Sequence, residues 1–453
     1  MKKALLVVFG VLVCYANTMA QGKCGIEKLN AIMTAKNPEF METLKELRQQ
    51  QMSRVEAYKK LNIAEKTTST ASAIPIIFHI VLNASQITQL GGVPGIEQRL
   101  DSQMVVINRD YNALNGDSYK IPSGFKPLYA NVGIHFGFAK VTPDGKSCPG
   151  YEIITTTASG FNFSGDPGSG QAFSGVKHTS SGGVDQWDPT KYINVWVINT
   201  LDGGASSTIL GMTISNLLAP EYGIPNDEIG VVLNYGAFGV QTAATQYYVA
   251  NITLGRTLTH ELGHYFEIWH VWGDDGGLCP WDVGGADDGI ADTPPQANET
   301  YGCPSFPKYD VCDTTGNGIM FMNYMDYSDD DCMHLFTLDQ AAVMQSNVQP
   351  GGESYSLTQH PEILAVEQVQ PNNNFTISPN PTTGRLNVYF NSSTENLLSL
   401  NVVNTLGQCV RLIDTKDKTQ SLYTIDLSEM SKGIYFVQCN FSGGTVTRKI
   451  VLQ

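Results

Sequence analysis

Histidine and glutamate are grouped where they could hold and use a metal: His260-Glu261-Leu262-Gly263-His264, with His270 six residues further on. On a helix, residues four apart share a face ~5–6 Å from one another, so His260 and His264 can each bring a ring nitrogen to ~2.0–2.1 Å from one Zn²⁺. Glu261 lies between them and can take a proton from a water held at such an ion, the pattern of a hydrolytic site with a catalytic base. His270 cannot join on a continued helix, because it would stand ~15 Å along the axis from His260. The chain must therefore turn back between Phe266 and His270. Glu267, three residues after His264, is the competing third ligand. The other histidines (His79, His135, His178, His334 and His360) lack this spacing and read as structural or exposed.

A helix carrying this cluster needs a packed side and a side facing a cleft. Leu254, Leu258, Leu262, Tyr265 and Trp269 supply an apolar stripe opposite the metal face, which predicts a helix over residues 251–269. Around it the pattern predicts strands over 74–82, 133–141, 192–199 and 228–234 and a helix over 95–115, hence an α/β domain with a mixed sheet. By fold analogy with peptidases alone, the strand over 228–234, directly before the metal helix, is the expected partner of an extended substrate. Residues 271–318 are rich in Gly, Pro and Asp, an irregular stretch that calls for covalent staples or bound ions. The domain is expected to span 71–350, followed by a polar linker over 351–372. Residues 373–453 change character to short alternating strands with regular turn signals, an all-β sandwich.

Before the domain come two further pieces. Residues 1–20 read as a secretory leader, with Lys2-Lys3, an apolar run and Thr18-Met19-Ala20 as the cleavage site. That run is shorter than the ~20 residues a membrane span requires, and no transmembrane segment is expected. Residues 21–70, polar and helical in period, read as a pro-segment. Export makes disulfides the default for Cys24, Cys148, Cys279, Cys303, Cys312, Cys332, Cys409 and Cys439; none forms a CxxC pair. The whole chain of 453 residues is 42% hydrophobic, which excludes global disorder, and its formal net charge of −15 repels phosphate backbones, excluding nucleic acid as a partner. Basic substrates and divalent cations suit such a field.

The zinc motif resembles that of the metzincin peptidases, H-E-x-x-H-x-x-G-x-x-H, with Glu267 where that pattern has Gly. Asn323-Tyr324-Met325-Asp326-Tyr327 resembles the metzincin Met-turn, which implies that Met325 floors the metal site and that Tyr327 helps to stabilise an oxyanion. Over residues 73–345 the chain is similar to the pappalysin family, through the zinc helix, Asp292-Thr293-Pro294, four cysteines, and the Met-turn running on to Asp331-Cys332. That resemblance implies the pairs Cys279–Cys312 and Cys303–Cys332. It also implies structural Ca²⁺ on the loop after the zinc helix, with Asp287, Asp288, Asp292 and Thr293 as candidates. Asp331 would lie at the base of the pocket for the residue after the scissile bond, selecting Arg or Lys. Lys23-Cys24-Gly25 resembles a cysteine switch, Cys24 being a latent fourth zinc ligand; a disulfide to Cys148 is the structural alternative. The C-terminal segment resembles the sorting domain of type IX secretion, through Ile377-Ser378-Pro379-Asn380-Pro381-Thr382, Leu427-Ser428 with Lys432-Gly433-Ile434-Tyr435, and Lys449-Ile450-Val451. The expectation is a secreted or cell-surface zinc endopeptidase made as a zymogen, acting on proteins and peptides and exported by that machinery. The alternative is a catalytically weak or inactive adhesin on the same scaffold.

Overall fold

A computed structural model describes residues 23–65, 73–164, 170–201, 209–242, 247–274, 279, 288–364, 375–390, 397–405, 408–413, 415, 422–441 and 444–453. The expected leader lies outside these residues. The chain divides into two compact units, Met1–Ala365 and Val366–Gln453.

Among the described residues, the first unit begins with two helices of the predicted pro-segment, α1 (Ile26–Lys36) and α2 (Phe40–Glu65). Then come β1 (Ala73–Leu82), α3 (Ala84–Gln89) and α4 (Gly92–Asp110), followed by β2 (His135–Phe138), β3 (Tyr151–Thr155), β4 (Phe161–Asn162), β5 (Ile193–Ile198), β6 (Thr200–Leu201) and β7 (Gly211–Ile214). A single turn, α5 (Ala219–Tyr222), leads to β8 (Gly230–Asn234), and α6 (Arg256–Tyr265), α7 (Leu338–Asn347) and the short α8 (Pro361–Leu364) complete the unit. The main sheet runs β2-β1-β5-β8-β7, with β3 alongside the second half of β1. All pairs are parallel except β7 with β8, so the sheet is mixed. β1, β5 and β8 are near-continuous runs of Ile, Val and Leu buried on both faces, the composition of inner parallel strands covered on each side.

Two expectations are corrected by this topology. The strand at 228–234 became β8, which has a neighbour on each side and no free edge for a substrate; the edge belongs to β7. Residues 351–364, read as linker, fold onto the first unit: Ile363 is buried, its carbonyl accepts from Lys140 N (2.8 Å), and α8 packs on β1.

The metal helix is shorter than predicted, ten residues in place of 251–269. It starts after Gly255, held at φ 76° in the left-handed region, with Asp330 Oδ2 accepting from Leu254 N (2.7 Å). Arg256 fixes this end through a bidentate pair with Asp117 (2.7 and 2.8 Å). At the far end Ile268 N donates to Gly263 O and Glu267 N to His264 O (2.9 Å each), the two bonds of a Schellman cap. Glu267 occupies the cap's left-handed position at φ 70° and supplies the turn that a Gly makes in the metzincin pattern.

The second unit is a β-sandwich. Strands β9 (Phe375–Ser378), β10 (Arg385–Phe390) and β13 (Leu422–Asp426) form one sheet, and β11 (Leu397–Val403), β12 (Cys409–Ile413), β14 (Gly433–Phe441) and β15 (Gly444–Leu452) the other. Both are antiparallel, and their inward residues, among them Leu386, Val388, Leu400, Val402, Val437 and Ile450, share one core. Cys409 on β12 is exposed and Cys439 on β14 buried, and they are not bonded.

Candidate functional site

Helix α6 carries His260 and His264 on one face, and the Schellman turn brings His270 back to meet them. Their Nε2 atoms stand 3.1 Å (His260–His264), 3.2 Å (His260–His270) and 3.0 Å (His264–His270) apart. Each Nδ1 faces an acceptor: Tyr324 O for His260 (2.7 Å), Ile268 O for His264 (2.7 Å) and Asp274 Oδ1 for His270 (2.6 Å). Those acceptors place the ring proton on Nδ1 and leave the lone pair on Nε2. Three lone pairs thus converge within ~3 Å, a repulsive arrangement that a cation relieves. Tetrahedral zinc with bonds of ~2.0–2.1 Å spaces its nitrogens by ~3.3 Å, so the three imidazoles fit that ion. Burial lowers the basicity of His260 and His264 well below the usual value, aided by charge on His270. At His270 burial acts the same way, but Asp274, with Glu27 and Glu261, outweighs it and raises the pKa.

Glu261 is fully buried beside this triangle. Its Oε2 accepts from Thr213 Oγ1 of β7 (2.7 Å). Burial pushes its carboxyl up to about 7, against hydrogen bonds from Thr213 and Cys24. Burial thus makes the carboxylate a readier proton acceptor, the direction a base that must later return the proton requires.

The Met-turn lies beneath. Met325 is buried and its Sδ packs against α6 so closely that a Cβ on Gly263 would collide with it. Asn323 Oδ1 accepts from Met325 N (2.9 Å), and Asp326 Oδ1 accepts from Tyr327 N and Thr300 N (2.7 Å each), fixing the turn. The Tyr327 ring is centred 5.7 Å from His260 and 5.0 Å from His270. Trp272 stacks on His270 (4.3 Å, 7°) and meets Tyr327 edge-on (4.8 Å, 75°), so both rings are wedged in place. Thr213, Trp272 and Asp274 were not singled out from sequence.

Cys24 closes the site. Its thiol belongs to one cluster with His260, His264 and His270 whose ligand atoms all lie within 4.8 Å of one another. The surrounding main chain runs along the edge strand: Leu210 N donates to Lys23 O (2.7 Å), Gly25 N to Gly211 O (2.9 Å), and Cys24 N to Tyr327 Oη (3.2 Å). Cys148 lies elsewhere, with its thiol on Ala139 O (3.3 Å), so the Cys24–Cys148 disulfide is not formed. Glu267 is not a ligand either; its side chain turns to α2.

Asp331 requires a correction. It is exposed and paired with Lys120 (2.6 Å), not at a pocket base. Residues 330–332 form one tight 3₁₀ turn, which sends Asp330 inward and Asp331 outward. The pocket beside His260 and Glu261 is walled instead by Asp326, Ser328 and Asp330, and Lys23 enters it, donating to Ser328 O (3.0 Å) and Asp329 Oδ1 (3.4 Å).

Three of the four calcium candidates are among the described residues. Asp287 lies outside the described residues. Asp288 Oδ1 accepts from Ile290 N (2.9 Å) and Thr293 Oγ1 (2.8 Å), forming a closed turn. Asp292 instead caps the start of α7, accepting from Asp339 N (3.0 Å). Two disulfides, Cys279–Cys312 and Cys303–Cys332, staple the irregular stretch, each closing a loop worth ~3–4 kcal/mol in the chain-entropy account.

Residues 179–349 match the peptidase family of pregnancy-associated plasma protein-A, and residues 376–453 match a secretion system C-terminal sorting domain. The fold is similar to mature mirolysin of Tannerella forsythia in complex with a cleaved peptide, at 33% identity and a TM-score of 0.56, covering 66% of this chain and 99% of that one. A promirolysin variant from the same organism matches at 30% identity and 0.57, covering 72% of this chain and 98% of that one. An extracellular metalloprotease of Arthroderma otae is 42% identical over 93 residues, which is 20% of this chain and 31% of the relative; the chain thus spans about a third of the length of the curated relatives it matches. Among the described residues no helix is long and apolar enough to cross a membrane.

Proposed function

This chain belongs to the pappalysin family of metallopeptidases, and on that footing we propose that it is a secreted zinc endopeptidase held latent by its own N-terminal segment. The observation that carries the reading is the triangle of Nε2 atoms with a buried Glu261 beside it and Cys24 on the open side. Zinc on those nitrogens supplies the Lewis acid that acidifies a water and polarises the scissile carbonyl.

The chain's own groups do the rest. Glu261, steadied by Thr213, takes the proton of the attacking water and passes it to the leaving amine. Once the segment at Cys24 is gone, the Tyr327 hydroxyl is free to donate to the carbonyl oxygen as charge develops there. The edge of β7, which now receives the main chain of Lys23 and Gly25, receives extended substrate by the same backbone bonds. The side chain of Lys23 marks the preference: a pocket with Asp326, Asp329 and Asp330 around it takes the Arg or Lys that follows the scissile bond. A β-sandwich tail that matches a secretion sorting domain supports export by that machinery.

The test is a peptide-library digest by the processed chain with and without a chelator. The expected profile is chelator-sensitive cleavage before Arg and Lys, weakened in Asp329→Asn; cleavage that ignores the chelator would refute the metal reading, and one without basic preference the pocket. For latency, cobalt-substituted precursor should show a thiolate-to-metal charge-transfer band that Cys24→Ala abolishes. A precursor without the band would refute the thiol's role.

A further inference from the structure

The Schellman bend that turns His270 toward its partners is gripped from outside by α2. Arg48, Gln51 and Arg54 recur at three-residue steps on one face of that helix. Arg48 Nη1 donates to Glu267 O (2.7 Å) and its Nε to Asp288 O (2.9 Å), while its guanidinium lies over Trp269. Gln51 Nε2 reaches both Glu267 O (3.3 Å) and the Glu267 carboxylate, and Arg54 Nη2 pairs with that carboxylate at 2.8 Å. One turn later Tyr58 donates to Gln345 Oε1 (3.0 Å) and Lys59 pairs with Asp339 (2.6 Å), both on α7. Glu267 is 2% exposed, and a carboxylate so deeply buried is tolerable only with a charged partner, which α2 supplies.

We propose that α2 is a second anchor of the N-terminal segment, independent of the metal and addressed to the Glu267 bend. The idea rests on that segment being the latency element, but among the described residues the hydrogen bonds and ion pairs named above reach neither a metal-ligand side chain nor Cys24. The two anchors therefore fail separately. A precursor stripped of metal, or lacking the Cys24 thiol, keeps α2 docked, and a chain cut after α2 retains the excised segment as a non-covalent inhibitor. Glu267 serves as the address: it departs from the Gly of the metzincin pattern, and its carboxylate meets Gln51 and Arg54 of α2, with Asn347 of α7 beside it.

Hydrogen exchange of α2 amides in the full-length chain tests this, with Glu261→Ala present throughout to prevent self-cleavage. Cys24→Ala, or a chelator, should leave α2 exchange within about twofold of the parent. Arg54→Ala should speed it by ~10-fold or more, the factor that losing a charge-assisted hydrogen bond predicts. Glu267→Gln combined with Arg54→Ala should add little to either alone. Glu267→Gly, which keeps the bend without its carboxylate, should loosen α2 while α6 stays protected. Release of α2 by Cys24→Ala to the same extent as by Arg54→Ala would overturn the proposal, as would additive effects at 54 and 267. The readout is exchange and not turnover, so a failed cysteine-switch reading leaves it decidable.

Discussion

Asp274 offers the sharpest test of how the metal site is built. Its Oδ1 accepts from His270 Nδ1 at 2.6 Å, with the two side chains 8% and 0% exposed, so the bond is short, charged and shielded from water. A charge-assisted hydrogen bond of this kind is worth ~1.5–3 kcal/mol. Losing it deprives His270 of both its orientation and part of its basicity, which converts to ~10–150-fold weaker zinc binding, in line with the effect of such partners in other metal sites. Asp274→Asn keeps an acceptor and gives up only the charge, so it should fall near 10-fold. Asp274→Ala gives up both and should approach 100-fold. Trp272 still stacks on the ring in either variant, which limits collapse of the site. The assay is zinc titration of metal-free full-length chain against a competing chelator, in the Glu261→Ala background. An Asp274→Ala chain that binds zinc within twofold of its parent would refute the argument that this carboxylate fixes the third ligand.

Gly263→Ala pits helix propensity, ~1 kcal/mol in favour of Ala, against a collision with Met325 Sδ. The collision should win, lowering thermal stability and zinc content together; a stabilised variant would mean Met325 does not floor the helix. At Asp117 burial pushes the carboxyl up, but bonds from His334 and Arg256 outweigh it and hold the group well below the usual range. A depressed carboxylate stabilises above its unfolded pKa of ~3.9 and loses that contribution as pH falls below it. Asp117→Asn should therefore destabilise the chain at neutral pH and flatten its stability profile below pH ~4, read from denaturant midpoints; an unchanged acid limb would contradict this. Replacing Cys303 and Cys332 by Ala should cost ~3–4 kcal/mol in denaturant unfolding, whereas a loss under ~1 kcal/mol would show the Met-turn needs no staple.

The metal helix was legible because its chemistry and its helical period coincide in one short segment. Its ends were not, since the apolar stripe continued through Leu254 and Trp269 while backbone geometry at Gly255 and Glu267 cut it at Arg256 and Tyr265. C-terminal strands such as β10 and β13 were visible because buried and exposed residues alternate along them. β7 gave no such signal: four residues buried throughout show no alternation, and Thr213, which holds Glu261, was hidden with it. Asp274 and Trp272 lie where Gly and Asp abound, and only a folded chain can tell which carboxylate meets a histidine. Three consecutive aspartates likewise carry no phase, so which of 329–331 faces inward is decided by the 3₁₀ turn.

The central claim is that three imidazoles hold one zinc ion for chemistry in which Glu261 moves the proton. Zinc content and peptide hydrolysis, measured on the same samples of processed wild-type chain and Glu261→Ala chain, test it together. The account predicts one zinc per chain in both and a fall in hydrolysis of ~10²–10⁴-fold in the variant. Full hydrolysis by Glu261→Ala, or a wild-type chain that cleaves peptides without zinc, would contradict it.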